Sequence, residues 1–257
     1  MIAVIIQART SSTRLPKKVL AEIEGKPMLW HIIERIKLAK NIDKIIVATT
    51  DLPEDKKIIE IAEKAGVKSF AGSKMDVLDR YYKAAKKYGA DVIVRITGDC
   101  PFTDPEIIDK TIEFFKTNNF DYVGTGHITK QKHESNYPDG LDAEVFSFSV
   151  LEKAWKDAKL PSEREHVTPY IWKNTKLFKT KTIDCDQNFS RMRWTVDEEQ
   201  DLKFAREVYK ILYPVKKIFL MQDILDLLKK EPNLMKINKV IGRDEGYSKS
   251  LIEDKKQ

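Results

Sequence analysis

Residues 2–18 read IAVIIQARTSSTRLPKK, an apolar run that stops at Gln7 and gives way to Arg9, Arg14, Lys17 and Lys18 among hydroxyl side chains. Unbroken apolar character over Ile2–Ile6 marks a strand buried on both faces, as in a parallel sheet covered by helices. In such sheets ligands bind beyond the carboxyl ends of the strands. The segment after Gln7 suits an anionic ligand. Turn-forming hydroxyl residues present backbone N–H groups, and Arg9, Arg14 and Lys18 offer forked and point-like cations that match a polyphosphate. A solvated loop would also be basic, but Leu15-Pro16 stiffens this one, and crowded cations repel one another unless an anion joins them.

Working outward, β-branched bursts alternate with segments of helical period. Strands are expected at Ile2–Gln7, Lys44–Thr49, Val67–Phe70, Asp91–Ile96 and Asp121–Val123. Helices are expected between them, near Pro27–Ala39, Pro53–Ala65, Asp76–Tyr88 and Asp104–Thr117, opened by early prolines or an Asp-Pro cap. The fold class is therefore α/β, a mostly parallel doubly wound sheet. After residue 124 the rhythm breaks into a polar loop. Strands follow at Ala143–Phe148, Leu177–Ile183 and Met192–Val196, with helices at Val150–Lys159, Arg164–Asn174, Glu198–Leu212 and Met221–Lys230, and a polar tail from Gly242. There is no internal repeat and no low-complexity linker.

Composition excludes several classes. At 257 residues and 42% apolar the chain can bury a sizeable core. The net charge of +6 comes from lysines scattered along nearly every helix, a solvated surface and not a nucleic-acid groove. No apolar stretch approaches the roughly 20 residues of a membrane span. Met1 leads straight into a strand and not into a signal peptide, so a cytoplasmic protein with no membrane partner is expected. Cys100 and Cys185 lack metal-type spacing and read as buried or inert thiols.

Two further segments lie at strand ends. In VRITGDCP, residues 94–101, Gly98 lets the backbone come close and Asp99 is placed as a sheet delivers a carboxylate to a hard divalent cation. Capping the turn before Pro101 is its plainer alternative. In MRWTVDEEQDL, residues 192–202, Asp197 ends a strand and opens a helix, where a simple N-cap is an equal reading.

The ordered motifs QARTSSTRLPKK, GKPML, IIVATT, GSKMDVLDRYYKAA, VRITGDCPFTDP, YPDGLDAEVFSF, REHVTPYI and RWTVDEEQDL resemble the cytidylyltransferases that activate KDO (3-deoxy-manno-octulosonate) and sialic acid. The resemblance is closest to the branch named after a spore coat polysaccharide biosynthesis protein, and it runs over about residues 2–212. It implies a glycosyltransferase-A-like nucleotidyltransferase fold that binds CTP with Mg²⁺ and transfers CMP to an acceptor, releasing pyrophosphate. It also implies a nucleotidyltransferase domain over 1–212, with a nucleotide-binding half to 124 and an acceptor-side half from 125, and a helical extension over 213–257.

By the same resemblance Arg9, Arg14 and Lys18 are the phosphate-binding cations. Gln7, Ala8, Ser73, Arg80, Thr97 and Gly98 line the nucleotide site, Asp99 and Asp197 hold the metal, and Tyr137, Asp142, Glu144 and His166 build the acceptor side. Asp76 shares the Ser73 motif. His166 has a plainer alternative, orienting a loop. Position 17, often Gly in such loops, is Lys here, which denies the loop a freely adopted positive φ. No general base is evident, and no Arg matches a sugar carboxylate.

Rival readings fail on specific residues. The turn after the first strand lacks the glycines of a dinucleotide fingerprint, and Gly25-Lys26-Pro27 is no P-loop. A nucleotide-sugar glycosyltransferase would favour D-x-D where Gly98-Asp99-Cys100 stands. A non-catalytic nucleotide-binding protein would not need both Asp99 and Asp197. Relatives are commonly homodimers, and the apolar stretch KKIFLMQDILDLL, residues 216–228, offers an interface.

Overall fold

The structure is a computed structural model that describes residues 1–125, 127–128, 133–238 and 245–256. Seven strands form the main sheet: β1 (Ile2–Gln7), β2 (Lys44–Thr50), β3 (Lys68–Gly72), β4 (Val92–Thr97), β5 (Tyr122–Thr125), β6 (Glu144–Ser147) and β7 (Thr180–Ile183). Their spatial order is 7-5-6-4-1-2-3. β6 alone runs against its neighbours β4 and β5, so the sheet is mostly parallel. The chain first walks from β1 to the β3 edge, then returns to place β4 on the other side of β1. That reversal opens a crevice at the carboxyl ends of β1 and β4, where Gln7 and Thr97 are register partners.

The helices are α1 (Met28–Ile36), α2 (Lys56–Lys64), α3 (Val77–Tyr88), α4 (Pro105–Thr117), α5 (Phe148–Asp157), α6 (Pro161–His166), α7 (Pro169–Lys173), α8 (Glu199–Leu212), α9 (Met221–Lys230) and α10 (Glu245–Asp254). Both faces of β1 are dry, as its composition requires. Val4 and Ile6 join the core shared with α1, α2, α4, α8 and α9, whereas Ala3 and Ile5 join the one under α3, α5 and α7. Val4, Ile5 and Ile6 each contribute about 1.5–3 kcal/mol by leaving water. Among the described residues no helix is long and apolar enough to cross a membrane.

The structure departs from the sequence reading in four places. Met192–Val196 is extended but not a sheet strand: Trp194 N–H donates to Asp139 and Val196 N–H to Asp99, two different segments, so no ladder forms. The helix expected over Arg164–Asn174 breaks into α6 and α7 at Val167, whose φ of 72° ends one helix before Pro169 opens the next. The polar tail contains a helix, α10. The stretch over 216–228 turns Phe219, Ile224, Leu225, Leu227 and Leu228 into the protein's own core, so these side chains are spent inside the subunit and do not form a free apolar face.

Candidate active site

Gln7 ends β1, and its carbonyl accepts from Gly98 N–H at 2.8 Å. A Cβ on Gly98 would lie 2.7 Å from that carbonyl oxygen, so only glycine lets the β4 turn close against β1. Beyond Gln7 the loop is anchored by Asp55, which accepts from Thr10 N–H at 2.8 Å, Thr10 Oγ1 at 2.6 Å and Thr50 Oγ1 at 2.5 Å. Burial alone would raise the Asp55 pKa, but these hydrogen bonds favour the carboxylate and lower it. Lys17 N–H closes the loop onto the Thr10 carbonyl at 2.9 Å. Lys17 takes φ 60° and ψ 21°, so the loop keeps the left-handed corner despite the missing glycine, and the lysine carries the strain.

The loop thereby aims Lys18 across the crevice. Its ammonium donates to Asp99 Oδ2 at 2.9 Å and to Asp197 Oδ1 at 2.7 Å. Arg14 reaches Asp197 Oδ2 at 3.0 Å and Glu198 Oε1 at 3.5 Å. Burial opposes ionisation of both Lys18 and Asp99. Their attraction outweighs it, holding Asp99 far below the ordinary carboxylate range and Lys18 above its ordinary value.

Asp197 does not cap α8. Its own N–H and that of Glu198 donate to Asp201 at 3.0 Å, which frees the Asp197 carboxylate for the crevice. In the extended run Trp194 and Val196 enter the core while Arg193 and Asp197 face the other way. Arg193 donates to Asp197 at 3.0 Å, to Asp201 at 3.0 Å and to Asp139 at 3.2 Å. Asn238 completes this buried group by donating to Asp201 and to the Arg193 carbonyl, each at 2.9 Å.

Asp99 and Asp197 thus converge on a single atom. Among the described residues no cluster of three His, Cys, Asp or Glu side chains is placed to hold a metal. Two carboxylates that share one cationic partner could hold a hard divalent cation in its place.

Of the residues expected at the nucleoside, Ser73 Oγ accepts from Asp76 N–H at 3.1 Å, which leaves its hydroxyl hydrogen to donate. Arg80 is buried and donates to the Ser73 carbonyl at 3.0 Å. Arg80 Nε and Gln7 Oε1 are buried without a partner among the described residues, polar atoms that a ligand could satisfy. Asp76 caps α3 through Asp79 N–H at 2.8 Å and pairs with Arg164. Thr97 Oγ1 lies 3.1 Å from Cys100 Sγ, and Ala8 is buried beside Gly98.

The residues expected on the acceptor side lie in β6, in the loop before it and at the end of α6. Glu144 is buried in β6, paired with Arg95 and accepting from Tyr122 Oη at 2.6 Å and Thr168 Oγ1 at 2.7 Å. His166 contacts Ser250 of α10 at 3.0 Å and the Tyr247 ring at 5.1 Å. Burial, with help from Arg95, pushes its pKa down to about 4. Tyr137 is buried beside Lys110, whose Nζ donates to its hydroxyl at 3.4 Å, and Asp142 accepts from Gly140 N–H at 3.3 Å. Arg9 reaches towards this side, donating to Glu165 at 2.9 Å.

Sequence reading missed Asp55, Glu165, Arg193, Asp201 and Asn238. Asp55 falls in the first turn of the helix opened by Pro53, a position where an acidic residue is ordinary. Asn238 carried no local signal, because its partners are 37 and 45 residues away.

A family model described as Cytidylyltransferase matches residues 3–235. An uncharacterized protein of Methanocaldococcus jannaschii is 46% identical over 236 residues, 91% of this chain and 93% of that protein. The spore coat polysaccharide biosynthesis protein SpsF of Bacillus subtilis is 31% identical over 216 residues, 81% of this chain and 86% of its own length. Among solved structures, a cytidylyltransferase from Leptospira borgpetersenii superposes with a TM-score of 0.84 at 35% identity, covering 91% of this chain and 96% of that one.

Proposed function

The chain belongs to the cytidylyltransferase family, and from that premise we propose that it transfers CMP from CTP to an oxygen of a sugar or sugar-like acceptor, releasing pyrophosphate. The acceptor class follows the polysaccharide role named for the Bacillus relative. The observation that carries the reading is the convergence of Lys18, Arg14, Asp99 and Asp197 at the crevice between β1 and β4. A cationic loop and two strand-end carboxylates are complementary parts of a site for a metal-bound triphosphate.

The acceptor oxygen attacks the α-phosphorus in line with the departing pyrophosphate. Arg9, Arg14 and Lys18 bind that leaving group and stabilise the charge that grows on it. One well-placed donor of this kind is worth about 10²–10³ in rate. Asp99 and Asp197 would hold Mg²⁺, which when bound supplies positive charge against the repulsion between acceptor oxygen and phosphate. Gly98 brings Asp99 close to the loop, and Arg193 with Asp201 holds Asp197 turned into the crevice. Ser73 and Gln7 supply a donor and an acceptor for the nucleoside. A cytoplasmic enzyme and a homodimer belong to the same proposal, the latter on family grounds.

The test is thermal denaturation with Mg²⁺ and each nucleoside triphosphate, because a ligand that binds only the folded protein raises its melting temperature according to its affinity. CTP should stabilise well beyond UTP, GTP or ATP. Equal stabilisation by UTP would contradict the base assignment.

A further inference from the structure

Three of the four cations of the first loop do not present a free positive surface. Arg9 is matched by Glu165, Arg14 by Asp197 and Glu198, and Lys18 by Asp99 and Asp197. Three cations thus face four carboxylates. A triphosphate arriving alone would have to displace carboxylates from all three of these cations. A divalent cation arriving alone would meet the Lys18 ammonium at the point on which Asp99 and Asp197 converge. Like charges at contact distance in a partly buried site repel strongly. Arriving together, the two compensate each other: phosphate oxygens take the loop cations, and the metal takes Asp99 and Asp197, the two carboxylates that Lys18 leaves.

We propose that Lys18 is an exchangeable counterion, whose ammonium occupies the divalent-cation position between Asp99 and Asp197 until a triphosphate draws it away, so that metal and nucleotide each promote binding of the other. The proposal rests on the cytidylyltransferase reading for the identity of the triphosphate. The side chain suits this role: lysine carries a point charge on a flexible stem that can swing between carboxylate and phosphate, whereas a forked guanidinium would be fixed by its planar contacts. The coupling is reciprocal, because linkage requires each ligand to change the affinity of the other by the same factor.

The two partners of Lys18 make opposite predictions for metal and nucleotide. With Mn²⁺ as the probe, followed by the loss of its free electron paramagnetic resonance signal, the nucleotide-free wild-type protein should bind weakly. Lys18→Gln should bind Mn²⁺ at least tenfold more tightly without nucleotide and bind CTP less tightly than wild type. Mn²⁺ should also raise the melting temperature of Lys18→Gln more than that of wild type, since the metal replaces the missing ammonium. Lys18→Gln with Asp99→Asn should lose the gain. Mn²⁺ binding by Lys18→Gln no tighter than by wild type overturns the proposal.

Lys18→Arg keeps the charge and covers the case in which Lys18→Gln does not fold. It should bind Mn²⁺ as weakly as wild type, and tight binding by nucleotide-free Lys18→Arg overturns the proposal equally. The Mn²⁺ titrations contain no nucleotide, so their outcome is separate from the CTP assignment. Failure of that assignment shows instead as a wild-type protein that CTP does not stabilise.

Discussion

Asp99 and Lys17 show how single residues divide between chemistry and structure. Asp99 has the Lys18 ammonium beside it and Gly98 behind it, and its carboxylate is held ionised across the working pH range. Asp99→Asn keeps the shape and removes the charge, so CMP transfer should fall by about 10²–10³-fold or more while the circular dichroism spectrum is unchanged. Near-normal turnover of this variant would remove Asp99 from the metal site. Arg14 touches Asp197 and Glu198 now and would face the β- and γ-phosphates in the complex. Calorimetry of Arg14→Ala should therefore show CTP weakened about tenfold or more and CMP barely affected. Equal losses would place Arg14 away from the leaving group. Lys17 pays for a left-handed corner that glycine adopts freely, so Lys17→Gly should stabilise the protein by about 1 kcal/mol, or about 2–4 °C in melting temperature. The placement of Asp99 just beyond β4 and of Arg14 in the loop after β1 was legible, because each segment follows an apolar strand. The family resemblance marked position 17 as a positive-φ corner, but that Lys17 keeps this corner was not legible, because the φ is imposed by the hydrogen bond from Lys17 N–H to the Thr10 carbonyl.

At the scale of elements, α10 packs on α6 through His166 with Ser250, and through Ser162, which donates to Asp254 at 2.6 Å and 2.9 Å. Besides Ser250 and Tyr247, His166 senses Arg95, Glu144, Arg9 and Asp254. Its folded pKa of about 4 lies below the value of about 6.5 expected when unfolded, so between these pH values the unfolded chain binds more protons. This contribution is fully present above pH about 6.5 and is lost as pH falls towards 4, by about 2–3 kcal/mol in all. Urea denaturation from pH 7 to 4 should show that decline, and His166→Gln should flatten it. An unchanged slope in the variant would mean that other groups carry the acid sensitivity. Helix periodicity revealed α3, α4, α8 and α9, whose apolar faces repeat regularly. It could not reveal the break at Val167 or the helix within the polar tail. The first depends on a positive φ in a β-branched residue, and the second on docking against α6 rather than on an apolar stripe of its own.

For the whole molecule, the alternation of strand and helix to residue 124 made the sheet legible, and the order 7-5-6-4-1-2-3 put the crevice where the first loop had indicated. The antiparallel β6 and the inward turn of α9 were not legible, since an apolar stretch reads alike whether it covers the subunit's own core or a partner. The first loop and Asp99 follow the apolar strands β1 and β4, neighbours in the sheet, and their placement could be read from sequence. The Arg193, Asp201 and Asn238 group joins segments distant in the chain and could not. A pocket that accepts from the cytosine amino group faces the O4 of uracil with an unpaired acceptor, which costs about 1–3 kcal/mol and should disfavour UTP roughly tenfold to a hundredfold. The central claim is CMP transfer, and its most direct measurement is mass-spectrometric detection of the conjugate together with pyrophosphate release. Wild-type protein and Asp99→Asn are each incubated with Mg²⁺, one of the four nucleoside triphosphates and a panel of sugar acceptors. The account predicts equal amounts of pyrophosphate and a CMP-linked sugar, from CTP and the wild-type protein only. A conjugate formed equally well from UTP, or glycosyl transfer from a nucleotide sugar with no pyrophosphate released, would contradict it.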